Sequence, residues 1–312
     1  MKIEEFNFPS ADKRTEIHCC RYVPDIPITA VLQISHGMVE HIERYEDFAR
    51  EMTKRGILVT GNDHLGHGRS IAEPEDLWHF PVGGNRILLK DIHTLRQMTA
   101  RRYPNVPYFM LGHSMGSFLL RQYLCIEGEG LAGALVIGTG DQPSVALIAG
   151  SIIAKVKCRI QGETHHSRLL TAMALGSNNK RFIDGTTGFE WLSRDPVVVN
   201  AYVEDEKCGG MFTNRAFFEM FKGMRFLKKK DNWKRMPKTL PVIILSGEED
   251  PVGSYGKAVH KVANKFQSAG MIDVTCRLYP GARHEILNET NKEEVYQDII
   301  SWIEPRIDKI SE

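Results

Sequence analysis

Five short stretches are apolar along most of their length instead of alternating: Thr29–His36, Gly56–Asp63, Pro107–His113, Leu131–Thr139 and Leu240–Gly247. Each is rich in β-branched or aromatic residues and closes on a small or polar one, the pattern of a strand buried on both faces. Val274–Gly281 looks like one more. Between them lie helical patterns at Arg44–Gly56, Ile87–Tyr103, Ser117–Gly128 and Ser254–Gly270, with glycine as a usual helix stop. Alternation of buried strands and amphipathic helices predicts an α/β fold with one mainly parallel sheet and helices on both faces. The rhythm breaks between residues 142 and 238, which carry helix-like pieces and polar turns but no convincing buried strand. The chain therefore divides into a sheet core, 1–141 and 239–312, and an inserted helical cap, 142–238.

Composition narrows the class. Hydrophobic residues make up 42% and charged residues 25% of 312, ordinary for a globular protein with a substantial core. A net charge of +1 argues against a nucleic-acid partner, which usually demands a basic face. The first twenty residues lack an apolar segment behind a basic one, and no run of about eighteen uncharged apolar residues occurs. Neither a secretory leader nor a spanning helix is expected. Six cysteines include no C-x-x-C pair, and adjacent Cys19 and Cys20 would point to opposite faces of a strand. Free thiols in a cytoplasmic protein is the plain reading.

The chemistry centres on Gly112-His113-Ser114-Met115-Gly116, which fits G-x-S-x-G at a strand-to-helix junction. There Ser114 would sit on a strained turn, with Gly112 and Gly116 removing the Cβ atoms that would block it. An ordinary serine N-cap is the competing explanation; the apolar strand before and the helix after favour the elbow. A serine hydroxyl needs a base oriented by an acid. Asp250 follows one candidate strand and His284 follows the next, in the order Ser, acid, His. Glu248 and Glu249 read as a solvated turn, and His260 falls inside a helical pattern. The Met115 amide would point at a developing oxyanion. The Met38 amide, after Gly37 in the loop beyond the first buried strand, would be its second donor. His36, Glu40, His41, Glu43, His64 and His67 have no recognised metal-ligand spacing and read as packing and loop residues. No metal or cofactor is implied.

Taken together, "SHGMVEHIERY", "DHLGHGRS", "LGHSMGS", "GEEDPVG" and "GARHEILNE" resemble the α/β-hydrolase family that includes monoacylglycerol lipases and bacterial lysophospholipase-like esterases. The resemblance runs in order from about Val31 to Trp302. It implies a Ser114–His284–Asp250 triad, an oxyanion hole from the Met38 and Met115 amides, and a lid over an acyl pocket. The segment "WLSRDPVVVNAYVEDEKCGG" is similar to the cap of bacterial members, except that Glu206-Lys207 replaces the usual proline before the cysteine.

Substrate rests with the cap. Ser144–Lys157 is apolar on nearly all sides, which suits core packing first, and otherwise an acyl-tunnel wall around Ile152 or a shallow membrane contact. The basic run Lys222–Lys238 reads as a solvated helix end, with anionic lipid as a weaker alternative. The leading expectation is a serine carboxylester hydrolase acting on small acyl esters such as monoacylglycerols or lysophospholipids. An aminopeptidase would need a cap carboxylate, with Glu163, Asp184, Glu190 and Asp195 as candidates. A non-catalytic binding protein would be expected to carry a broken triad.

Overall fold

The computed structural model describes residues 1–183 and 185–311. Eight strands form one sheet: β1 (Lys2–Pro9), β2 (Glu16–Val23), β3 (Ala30–Ser35), β4 (Ile57–Asn62), β5 (Tyr108–His113), β6 (Gly133–Ile137), β7 (Val242–Gly247) and β8 (Val274–Tyr279). Their spatial order is β1-β2-β4-β3-β5-β6-β7-β8, and every neighbouring pair from β4 to β8 is parallel. All six stretches read as strands are strands. Every residue of β3 to β7 is buried, which is why their sequences do not alternate.

Two further strands escaped the sequence reading. β1 pairs antiparallel with β2, and β2 antiparallel with β4, so the sheet opens with a hairpin. β1 mixes charges into an exposed edge, and β2 buries His18 and Arg21 beside its apolar residues, which blurs the pattern in both. Cys19 and Cys20 do face opposite sides, Cys19 packing into one apolar core and Cys20 into the other.

Those two cores lie on the two faces of the sheet. One holds α2 (Gly84–Arg102), α3 (Met115–Glu127) and α9 (Lys257–Ser268), through Leu88, Leu95, Leu120, Val262 and Phe266. The other holds α1 (Glu46–Thr53) and α10 (Lys292–Ser311), through Phe48, Met52, Val295 and Ile299. α10 was also not anticipated.

Between β6 and β7 the chain forms α4 (Ser144–Gln161), α5 (Arg168–Leu175), α6 (Pro196–Glu204), α7 (Asn214–Phe226) and α8 (Lys230–Trp233). Their starts are set locally. Ser167 and Thr213 accept from the amides of Leu170 and Ala216, and Asp195 caps α6 ahead of Pro196. Among the described residues of this stretch the only strand-like feature is a single bridge, His166 to Thr213.

α4 departs from the expectation of core packing on all sides. It buries Leu147, Gly150, Ser151 and Ala154, one helical stripe, and seats Gly150 against the Phe221 ring of α7. The opposite stripe is apolar and exposed, from Val145 (78%) through Ile148, Ile152 and Val156 to Ile160 (77%). The basic run is only partly a solvated end. Its cations alternate with buried Leu227, Trp233 and Met236, and Lys228 pairs with Asp141.

Candidate active site

β5 ends at His113 and α3 begins at Met115, so the chain turns from strand to helix on one residue, Ser114. Its backbone stands at φ 52° and ψ −118°, a region a non-glycine residue enters only under constraint. The constraint comes from both sides. The Ser114 amide donates to Ile137 O at 3.0 Å, and Ser117 Oγ donates to Ser114 O at 2.6 Å. A Cβ on Gly116 would strike the Ser35 carbonyl, and one on Gly112 would strike the Gly116 carbonyl. Ser114 is thus an elbow and not an N-cap, since its side chain caps nothing.

Asp250 lies just beyond β7 and is fully buried. Its Oδ1 accepts from the Val252 amide at 2.8 Å and lies 2.9 Å from His284 Nδ1, while Oδ2 accepts from Ser246 Oγ at 3.1 Å. These bonds leave the carboxylate one orientation. His284, beyond β8, is 1% exposed and is flanked by the rings of Trp191 and His113, each at 4.9 Å between centroids. With Nδ1 donating to Asp250, the lone pair of His284 sits on Nε2, which has no hydrogen-bond partner. Ser114 and His284 line a single cavity of about 400 Å³. Its other walls are mostly apolar, including Phe118, Leu147, Met173, Phe221 and Met224.

Gly37, Met38 and Met115 line the same cavity. Met115 is the first residue of α3, so its amide has no carbonyl one turn back to bond. Met38 stands in the loop after β3, where the next residue, Val39, is held at φ 52°. The Val39 carbonyl accepts from Gly209 N at 3.0 Å and Tyr202 Oη at 3.2 Å. Residues between β6 and β7 therefore fix the shape of this loop.

Beneath the site runs a charged network that sequence reasoning missed. Arg44 donates to Glu40 at 2.7 Å and to both oxygens of Glu285 at 2.8 and 2.7 Å. Glu40 accepts from the Gly37 amide, from Tyr45 Oη at 2.9 Å, and lies 3.2 Å from His113 Nδ1. His113 Nε2 reaches His284 O at 3.4 Å. The loop carrying Met38, the elbow and the His284 loop are thus joined through one buried set of charges. Burial opposes charge on His113, but the Glu40 carboxylate overrides it and lifts the imidazole above its ordinary pKa. Burial likewise penalises Glu40, yet His113 and Arg44 hold it well below the usual carboxylate range. Adjacency to His284 was the one sequence signal for Glu285; Arg44 lies 241 residues away.

The remaining candidates among the described residues fall outside the cavity. His260 is exposed on α9, Glu248 is exposed, and Glu249 is half-buried. His36, His64 and His67 pack together under the first loops, with centroids 4.2 to 6.3 Å apart. Burial pushes His64 down to about 3 and His67 to about 4. His41 bonds Asp205 at 2.8 Å, and among the described residues these two with Cys208, and the Glu5–His18–Glu43 group, are the ones whose ligand atoms converge enough to hold a metal. Asp205 also accepts from the Lys207 amide at 2.8 Å, closing the turn that leads into Cys208. Of the cap carboxylates, Glu163 pairs with Arg215, Glu190 accepts from Thr187 and Asn179, and Asp195 caps α6. None of these three lines the cavity, and Asp184 lies outside the described residues.

Known proteins are similar to this chain in sequence and fold. A family model described as "Serine aminopeptidase, S33" matches residues 26–291. The monoacylglycerol lipase of Mycolicibacterium smegmatis is 28% identical, over 90% of this chain and 90% of that protein. The monoglyceride lipase of Rattus norvegicus is also 28% identical, over 92% and 87%. A thermostable carboxyl esterase from Bacillus coagulans superposes with a TM-score of 0.91 at 28% identity, covering 98% of this chain and 99% of that one. The match spans the elbow, the acid and the histidine alike, and the chain belongs to the serine aminopeptidase S33 family of α/β-hydrolases.

Proposed function

We propose that the chain is a serine carboxylester hydrolase that cleaves monoacylglycerols, lysophospholipids or similar acyl esters through an acyl-enzyme. One observation carries the reading: a serine on a strained elbow shares an apolar cavity with a histidine whose Nδ1 is bound to a buried aspartate and whose Nε2 is unpaired. The relatives' activities, monoacylglycerol lipase and carboxyl esterase, support the ester class.

In this scheme His284 Nε2 takes the Ser114 Oγ proton as Oγ attacks the ester carbonyl. The Met38 and Met115 amides bind the oxyanion. His284 then hands the proton to the departing alcohol oxygen. Water repeats the cycle on the acyl-enzyme: His284 deprotonates it, the acyl–Oγ bond breaks, and the proton returns to Ser114. Asp250 holds the imidazole tautomer throughout. The S33 description raises the alternative of an amide substrate with a free amine, but no described cap carboxylate is available to hold the ammonium.

Residues 142–238 act as a lid over the acyl chain, since α4, α5 and α7 supply much of the apolar wall. The outer stripe of α4 supports transient contact of a cytoplasmic enzyme with a membrane surface. No helix among the described residues is long and apolar enough to cross one. Ile152 is 58% exposed and absent from the cavity wall, so it belongs to this outer face and not to the acyl tunnel.

Fluorophosphonate labelling tests the core claim: folded protein must take the label on Ser114, and the Ser114→Ala variant must not. A panel of monoacylglycerols, lysophospholipids, p-nitrophenyl esters and aminoacyl amides assigns the substrate; turnover confined to the amides would refute the ester reading. Ile152→Glu should lower co-sedimentation with vesicles several-fold while soluble short-chain esters are cleaved as before. Unchanged co-sedimentation would remove the membrane contact.

A further inference from the structure

His41 stands in the loop after β3 with a carboxylate on each side of its ring. Nε2 lies 2.8 Å from Asp205 Oδ2, and Nδ1 lies 3.4 Å from Glu43 Oε2. The residue is 5% exposed, and Nδ1 has no hydrogen-bond partner. A neutral imidazole carries one N–H, so it can donate to only one of the two carboxylates. A cation at Nε2 removes the conflict. The ring nitrogen and Asp205 both bind it, and the N–H sits on Nδ1, toward Glu43. Histidines that ligate metals are usually oriented in this way, by a carboxylate on the far nitrogen.

A third donor converges on the same point. The ligand atoms of His41, Asp205 and Cys208 all lie within 4.8 Å of one another. In a tetrahedral zinc site, bonds of about 2.0–2.3 Å set ligand atoms about 3.3–3.6 Å apart, so side-chain shifts of about 1 Å close this one. Asp205 Oδ1 is held by the Lys207 amide at 2.8 Å, which leaves Oδ2 turned to His41. Among the described residues no lysine or arginine forms an ion pair with Asp205. Its side chain is 32% exposed, which gives a cation a way in and leaves the fourth position to solvent. Burial pushes the Cys208 thiol above its ordinary pKa, while the Arg44 guanidinium pulls it down. A bound cation supplies the charge that draws the thiol proton off to solvent.

The donor set names the ion. One nitrogen, one carboxylate oxygen and one thiolate suit zinc and similar borderline-soft cations, whereas magnesium and calcium take oxygen. The other converging group, Glu5, His18 and Glu43, already holds a cation, since the Arg69 guanidinium bridges its two carboxylates at 2.7 and 2.5 Å.

We propose that His41, Asp205 and Cys208 bind a divalent cation of the zinc class. None of the three lines the reaction cavity, so the site is separate from the catalytic one. His41 belongs to the loop that carries Met38, and Cys208 precedes Gly209, whose amide donates to Val39 O at 3.0 Å. The cation therefore fastens the segment after α6 to that loop. The test uses the whole chain without an affinity tag, stripped with a chelator and titrated with Zn²⁺ or Co²⁺. Competition with a chromogenic chelator should show one tight equivalent of Zn²⁺, and Co²⁺ should give a thiolate-to-metal charge-transfer band. Cys208→Ser and Asp205→Asn should each weaken binding at least tenfold, the loss that even a supporting residue causes. Zn²⁺ should raise the melting temperature of the parent and leave that of Asp205→Asn unmoved. Asparagine keeps the oxygen that accepts from Lys207, so this variant decides the matter even where the buried Cys208→Ser fails to fold. Cys276, 3.8 Å from His260 Nδ1, is the rival thiol–imidazole pair, and Cys276→Ser should bind as the parent does. No tight equivalent, a cobalt complex without the charge-transfer band, or binding that Cys276→Ser removes and Asp205→Asn does not would each overturn the site.

Discussion

Replacing Arg44 with methionine should cost stability and turnover together. The guanidinium is 11% exposed and the two carboxylates it bridges are 4% exposed each. Methionine keeps the stem volume and removes three charge-assisted hydrogen bonds of 2.7 to 2.8 Å. Breaking a buried ion pair by deleting one partner typically costs about 3–5 kcal/mol, because the remaining charge stays buried without compensation. Here two carboxylates remain, with the His113 imidazole, 3.2 Å from Glu40, as the basic group still beside them. Urea unfolding followed by tryptophan fluorescence at pH 8 should show a deficit of about that size with the slope unchanged. The deficit should also depend on pH in one direction. In the parent, burial opposes the Glu285 charge and Arg44 holds its pKa below the ordinary value. Without Arg44, burial pushes it above. A carboxyl raised in the folded state gains stability as pH falls, and a lowered one loses it, so the gap between parent and variant should narrow from pH 8 to pH 5. Turnover should fall with KM little changed, since Glu40 bonds the Gly37 amide and Glu285 adjoins His284. A deficit below about 1 kcal/mol that ignores pH would refute the reasoning, for that is how exposed ion pairs behave.

Two other outcomes follow from the same geometry. Burial holds His64 and His67 neutral down to about 3 and about 4, whereas unfolded imidazoles titrate near 6.5. Depressed pKa values confer stability above the unfolded pKa that is lost on acidification. Each histidine should therefore remove about 1.4 kcal/mol per pH unit below about pH 6. His67, packed among Trp78, Phe80 and Phe212, can be tested as His67→Phe, and a urea midpoint no less pH-sensitive than the parent's would contradict this. Ser114→Gly should melt above Ser114→Ala by roughly 1–2 kcal/mol of stability, because glycine relieves the positive φ that alanine retains. Equal melting temperatures would mean the elbow is unstrained.

The central strands were legible because burial on both faces removes alternation and leaves an apolar run, as in Val242–Leu245 of β7. β1 and β2 were not, since an edge hairpin satisfies its polar residues individually. Glu4 takes the Arg21 guanidinium at 3.2 Å, and Arg21 lies over the Phe6 ring at 4.3 Å. A pattern built from such pairs has no period to find. α4 misled for a related reason. Its composition is apolar on nearly every side, and composition does not say which side meets protein and which meets solvent. That was decided by Phe221 on α7, more than sixty residues onward.

The site divides along the same line. Ser114, Asp250 and His284 were readable because the fold requires each at the end of a strand, and strand ends are marked locally by glycine, proline and a change of period. The Glu40–Arg44–Glu285 network carries no such mark. What sets it apart is one guanidinium meeting two buried carboxylates, Glu40 one helical turn away and Glu285 far along the chain, a property of packing that no spacing encodes. The reacting groups of this fold can therefore be found from a chain's order, while the groups that hold them in place have to be found from what the folded chain brings together.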